Sequence, residues 1–122
     1  MKGDFDIVIA AVKQCGFALQ FASLELKNNS QIVVTAVTNT GYALEFAAIQ
    51  RKNDFNIVMK VMKQCGWALK YASKELRGNK DIVLAALGQN SDAFQFINLN
   101  VFIISLVHHN IDAKETLSPN IK

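Results

Sequence analysis

The chain repeats itself every 25 residues, and no other feature of the sequence constrains its fold as strongly. An isoleucine followed by a valine recurs at this spacing, with the isoleucines at Ile7, Ile32, Ile57 and Ile82. A 50-residue period is superimposed, because the run Lys13–Gly16 returns as Lys63–Gly66. Since four copies keep the same positions in register, the sequence predicts four consecutive units of one supersecondary structure.

Each unit is predicted to be a helix, a glycine turn and a second helix. Asp or Asn opens every unit and suits an N-cap, because its side-chain oxygen accepts hydrogen bonds from the free N–H groups of the first turn. These four residues are Asp4, Asn29, Asp54 and Asn79. Gly16 then falls where a left-handed residue would end the first helix. Isoleucine–valine pairs also favour strands, but the alternation of period two that strands require is absent.

One such hairpin cannot bury its own apolar face, whereas stacked copies can. We therefore predict an all-α fold, a short α-solenoid of four 25-residue helix-turn-helix repeats plus a C-terminal capping helix. The units are expected at about 4–28, 29–53, 54–78 and 79–99, the cap at about 100–110 and a loose tail at 111–122. The outer side of unit one has no cap, which indicates either a longer array or pairing with a second copy.

Composition agrees with a single folded domain. The 122 residues are 51% hydrophobic and 19% charged, too apolar for a disordered chain. The longest apolar runs are far shorter than the about 20 residues of a membrane span, so no span is expected. No secretory leader is recognisable. These features predict an intracellular, cytoplasmic protein.

The two cysteines share one register, two units apart. Equivalent atoms at that separation are too distant for a disulfide, so Cys15 and Cys65 are predicted to be free thiols in a reducing compartment. We expect each to be a small buried residue at a helix end.

Seven of the eleven aromatic residues fall on two lines of the repeat. The first line holds Phe17, Tyr42 and Trp67, and the second holds Phe21, Phe46, Tyr71 and Phe96. They could form a stacking surface for a peptide or for bases, but packing between units is the preferred interpretation. Trp67 and Tyr71 are the expected exceptions, as partly exposed residues that contact a partner.

Basic residues concentrate in unit three. The segment 51–80 carries eight Lys and Arg against two acidic residues, whereas the whole chain has a net charge of +3. Lys60, Lys63, Lys70 and Lys74 are therefore predicted to bind a partner. Nucleic acid or an anionic surface is the alternative ligand, less expected than a protein. A polar line that includes Gln14 and Asn39 offers a repeated contact face, continued by Gln64 and Gln89.

Nothing in the sequence predicts catalysis, a metal or a cofactor. No nucleotide-binding, nucleophile-elbow or zinc-protease motif is present. His108 and His109 are adjacent, and neighbouring residues on a helix point about 100° apart, which makes them poor co-ligands. We therefore expect a protein without enzymatic activity.

The pattern Asp-x-x-Ile-Val-x-x-Ala-Val-Lys-Gln-x-Gly-x-Ala-Leu, which begins at Asp4, resembles the family called domain of unknown function 4116 over about residues 1–100. Unit two departs at Gln50 and Arg51, and unit four at Gly88 and Ser91. The family occurs in tandem arrays, including effector-like proteins of intracellular bacteria, and has no established activity. The resemblance implies a helical scaffold or protein–protein interaction module, with delivery into a host cell as one setting. Nucleic-acid binding and self-association are the alternatives.

Overall fold

A computed structural model describes the backbone of residues 4–117 and the side chains of residues 4–108. Within these residues the chain forms helices and no strand, which confirms the all-helical prediction. The described α-helices are α1 (Asp4–Gln14), α2 (Leu24–Lys27), α3 (Ser30–Asn39), α4 (Ile49–Lys52), α5 (Phe55–Gln64), α6 (Lys80–Gln89) and α7 (Leu99–Leu117). The 3-10 helices are Gly16–Phe21, Gly41–Phe46, Gly66–Tyr71, Leu76–Gly78 and Ser91–Phe96.

The predicted first helices begin at capping residues. Asn29 accepts a hydrogen bond from the amide of Ile32 at 3.0 Å, and Asp54 accepts one from Ile57 at 3.1 Å. Asn79 accepts from two amides at the start of α6. These three caps are confirmed, whereas Asp4 lies inside α1 as its first residue.

The second half of each unit differs from the prediction. In units one to three a six-residue 3-10 helix follows α1, α3 or α5, and a short α- or 3-10 helix ends the unit. No described glycine has a positive φ, so the prediction of a left-handed glycine at Gly16 is wrong. The glycine is needed for close packing instead, because a Cβ on Gly16 would collide with the carbonyl of Ala36 in the next unit.

One backbone hydrogen bond recurs between successive units. The amide of Ala48 donates to the carbonyl of Lys27 at 2.9 Å. Moving 25 residues along the chain, the amide of Ser73 donates to Lys52 at 3.0 Å, and a further 25 residues along that of Asn98 donates to Arg77 at 3.0 Å. Because the bond joins equivalent residues each time, it ties the end of each unit to the next.

The core lies between the units and consists of aliphatic residues from the repeat. Ile32, Ile57 and Ile82 are buried, as are Leu19, Leu44 and Leu69. Helix α1 packs against α3, and α5 packs against α6, whereas α3 and α5 touch less. Units one and two therefore form one closely packed pair and units three and four another, which matches the 50-residue period.

The C-terminal helix α7 is longer than predicted. It begins at Leu99, one residue before the predicted cap at about 100–110, and continues to Leu117, inside the predicted loose tail 111–122. It packs on the short helix Leu76–Gly78 and on α6. Residues 118–122 of that predicted tail lie outside the described residues. None of the described helices has the length and hydropathy that crossing a bilayer would require.

Candidate functional site

The aromatic residues of the two lines pair across unit boundaries. The rings of Phe17 and Phe46 meet edge to face with their centroids 6.3 Å apart, and those of Tyr42 and Tyr71 do the same at the same distance. Trp67 and Phe96 lie at 5.0 Å. Each contact joins one unit to the next, so packing between units is confirmed as a role of these aromatics.

Trp67 and Tyr71 are half-buried members of this series, and Lys70 lies beside them. The Lys70 Nζ is 5.2 Å from the centroid of the Tyr71 ring and 5.6 Å from that of Phe96, which is a cation–π arrangement. Three of the predicted partner-binding residues are thus brought together around Phe96. Their geometry also gives them a structural task.

The other predicted lysines line two separate grooves. Lys60 and Lys63 are exposed on α5 and line a groove with Asn56, Met59 and Gln64. Lys74 is exposed and lines another groove, with Arg77 and the start of α7. The six predicted residues therefore do not line one common groove.

The predicted polar contact face is partly used inside the fold. The Asn39 Oδ1 accepts from the amide of Gly16 at 2.8 Å, while the Asn39 Nδ2 donates to the carbonyl of Lys13 at 3.1 Å. Gln89 Oε1 accepts from the amide of Gly66 at 2.6 Å. Asn39 and Gln89 therefore hold units two and four on their predecessors, which corrects their assignment to a binding face.

The largest groove lies between units one and two, where the sequence had indicated no site. Its volume is about 860 Å³, and its lining includes Leu24, Ile49 and Phe46. Leu24 and Ile49 are the first residues of α2 and α4 and are 83% and 79% exposed. The signal that could have found them is an apolar residue directly after the cap position of the short helix, one unit apart.

Charged side chains flank this groove. Glu25 and Glu45 line it together with Lys27, so its wall carries two acidic residues and one basic residue. Leu24 and Ile49 are apolar and stand largely in solvent, an arrangement that suits an apolar segment with a basic neighbour.

Both cysteines are free, as predicted, but they differ in exposure. Cys15 is exposed, so the expectation that it is buried is wrong, and Cys65 is half-buried. The pKa of the Tyr42 phenol is raised above its ordinary value of 10.0, first by a hydrogen bond with the Cys65 side chain and then by desolvation. His108 is exposed on α7. Within the described residues no group of three or more His, Cys, Asp or Glu side chains could hold a metal ion.

Comparison with known proteins gives one match. The sequence model of the family described as Domain of unknown function (DUF4116) matches residues 4–49 and again residues 54–101. No curated protein and no solved structure matches the chain. The two matched segments correspond to the two closely packed pairs of units and together span most of the chain. The chain therefore belongs to the DUF4116 family, with the family domain present twice in tandem.

Proposed function

We propose that the chain is a short α-solenoid of four 25-residue units and acts as a non-enzymatic scaffold that binds an apolar segment of a partner protein. The recurring backbone hydrogen bond and the edge-to-face aromatic pairs support the stacked arrangement, because they join equivalent residues of successive units. Such a stack presents a preformed surface, which lowers the cost of ordering when a partner binds.

The exposure of Leu24 and Ile49 beside one groove is the observation that carries this proposal. Burying a large aliphatic side chain contributes roughly 1.5–3 kcal/mol. A partner segment that covers both side chains gains this contribution twice, before the costs of association. Basic residues on the partner would face Glu25 and Glu45, which favours a segment that is both apolar and basic.

Selection from a random peptide library on the immobilised chain tests the proposal. Enriched peptides are measured by fluorescence anisotropy against the wild-type chain and against the double variant Leu24→Asp, Ile49→Asp. We expect apolar, basic peptides whose affinity falls at least tenfold in the double variant. The matched control is Leu84→Asp, since Leu84 is a 54% exposed leucine on α6 outside the groove. Peptides that bind the double variant as well as the wild type would refute the groove as the site.

The predicted lysines support a second candidate, nucleic-acid or anionic-surface binding by unit three. The segment 51–80 is strongly basic, and Lys60, Lys63, Lys70 and Lys74 are exposed. Phosphate contacts make such binding steeply dependent on salt. Titration of labelled RNA and DNA from about 50 mM salt upwards tests it. A Lys60→Glu, Lys63→Glu variant should bind more weakly, and absence of binding at the lowest salt removes this candidate.

Self-association is the third candidate, and the open outer side of unit one supports it. Ile7 on that side is 68% exposed. Light scattering across a concentration series decides the matter, because a chain that stays monomeric at high concentration is not a self-assembling structural piece.

A further inference from the structure

The first unit exposes a surface that the other units bury. Ile7 is 68% exposed, whereas its equivalents Ile32, Ile57 and Ile82 are 0%, 4% and 0% exposed. Phe21 is 84% exposed, although its equivalents pair with aromatic rings of the preceding unit. Ala11 and Cys15 are exposed on the same unit. We call the surface formed by Ile7, Ala11, Cys15, Phe21 and Ser23 the N-terminal face.

Unit three shows what such a face binds, because it carries nearly the same residues. Cys65 and Ser73 are equivalent to Cys15 and Ser23, and Tyr71 is equivalent to Phe21. Through these residues unit three docks on unit two. The Tyr71 ring meets Tyr42 edge to face, and the Ser73 amide donates to the carbonyl of Lys52.

Two further contacts complete this template. The Ser73 Oγ donates to the Oδ1 of Asn53 at 2.6 Å. Gly41 lies against Cys65 so closely that a Cβ on the glycine would come within 3.0 Å of the Cys65 Cβ. A unit that docks on unit three's predecessor therefore reads a glycine, the aromatic residue after it, and the carbonyl and asparagine at the end of that predecessor.

We propose that the N-terminal face is a docking site for one further helical repeat unit of the type of unit two. The partner unit presents a glycine to Cys15, an aromatic ring edge to face with Phe21, and a free backbone carbonyl to the Ser23 amide. This site is separate from the groove at Leu24 and Ile49, so it stands or falls independently of the proposed function.

The opposite end of a second copy does not fit this description. In unit four Ser91 takes the glycine position and Asp92 takes the aromatic position. Phe102 occupies the position whose carbonyl would accept the amide, and it lies inside the continuous helix α7, where carbonyls bond within the helix. The partner is therefore a repeat unit that keeps the glycine and the aromatic residue, and not unit four of another copy of this chain.

The test places a copy of residues 4–53 directly before Asp4 of the full chain, so that a second unit two precedes unit one. The added copy carries Cys15→Ser, which leaves a single Cys15 in the extended protein. The rate at which iodoacetamide modifies this Cys15 is followed by peptide mass spectrometry. Cys15 in the natural chain should react freely, and Cys15 in the extended chain at least tenfold more slowly.

A charge on the face supplies the control. Phe21→Asp in the original unit one of the extended chain should restore most of the Cys15 reactivity. The matched variant is Phe94→Asp, because Phe94 is 61% exposed at the far end and should leave the protection intact. Circular dichroism of both variants without the extension checks that each still folds. Since the tether keeps the added units at high effective concentration, an unprotected Cys15 in the folded extended chain would overturn the proposal, as would protection that survives Phe21→Asp.

Discussion

At the scale of single residues, the contacts between units depend on side chains that are small or absent. Gly66 begins a 3-10 helix, and a Cβ there would approach the carbonyl of Ala86 within 2.5 Å. The amide of the same glycine donates to Gln89. One position thus serves both the close approach of unit four and its hydrogen bonding to unit three.

Gly66→Ala should destabilise the fold by about 1–3 kcal/mol, because the added methyl group meets backbone that cannot move aside easily. Gly88→Ala is the matched control, since a Cβ at Gly88 meets nothing within 4 Å and the residue lies in α6. That control should stabilise by about 0.5–1 kcal/mol through helix propensity. Urea denaturation measures both, and equal effects of the two substitutions would contradict the close approach.

Gln89→Ala should cost about 1 kcal/mol, because it leaves the Gly66 amide without its acceptor. Gln64 holds the same register in unit three and is exposed at the end of α5, so Gln64→Ala is the control. We expect the control to change the free energy of unfolding by less than half as much. The hydrogen bond is refuted as a contributor if denaturation curves of the two variants coincide.

At the scale of elements, the short helices that close the units differ in their caps. Ser23 accepts from the amide of Leu26 at 3.2 Å, and Ser73 accepts from that of Leu76 at 3.2 Å. In unit two the same position is Ala48, which makes no side-chain cap. Its backbone angles of φ −63 and ψ 157 nearly equal those of Ser23, so a serine would fit without rearrangement.

Ala48→Ser should therefore stabilise the protein by about 0.5–1 kcal/mol, by supplying the missing cap of α4. Ser73→Ala is the reverse change at the equivalent position of unit three and should destabilise by a similar or larger amount, since Ser73 also bonds Asn53. Thermal unfolding followed by circular dichroism checks both. A neutral or destabilising Ala48→Ser would show that the cap geometry does not carry over.

The sequence allowed prediction of the first helices and their caps, because Asn29, Asp54 and Asn79 are strong local signals ahead of amphipathic runs. It did not allow prediction of the 3-10 helices, since a six-residue segment such as Gly66–Tyr71 is set by the packing of neighbouring units. The groove at Leu24 and Ile49 was missed for a similar reason. Exposure depends on which side of the stack a residue occupies, and periodicity alone does not distinguish a buried leucine from an exposed one.

At the scale of the whole molecule, stability depends on how many neighbours each unit has. Units two and three have other units on both sides, whereas Ile7 of unit one and Phe94 of unit four stand exposed at the two ends. In such a quasi-one-dimensional array the terminal units open more readily than the internal ones.

Hydrogen exchange followed by mass spectrometry should show this gradient. We expect peptides from α1 to exchange at least tenfold faster than peptides from α3, although both helices are amphipathic and of similar length. In the extended chain described above, α1 should gain protection because its open side is covered. Uniform exchange of α1 and α3 in the natural chain would mean that unfolding is fully cooperative and that the open face carries no penalty.

The serine at position 91 has a consequence for assembly. A head-to-tail contact that repeats without closing produces fibres, and a molecule with two matching ends can enter one. Here Ser91 and Asp92 stand where the receptive end of such a polymer would need a glycine and an aromatic ring. The molecule has one end able to accept an addition and one end that terminates growth, so its assemblies stay bounded in size.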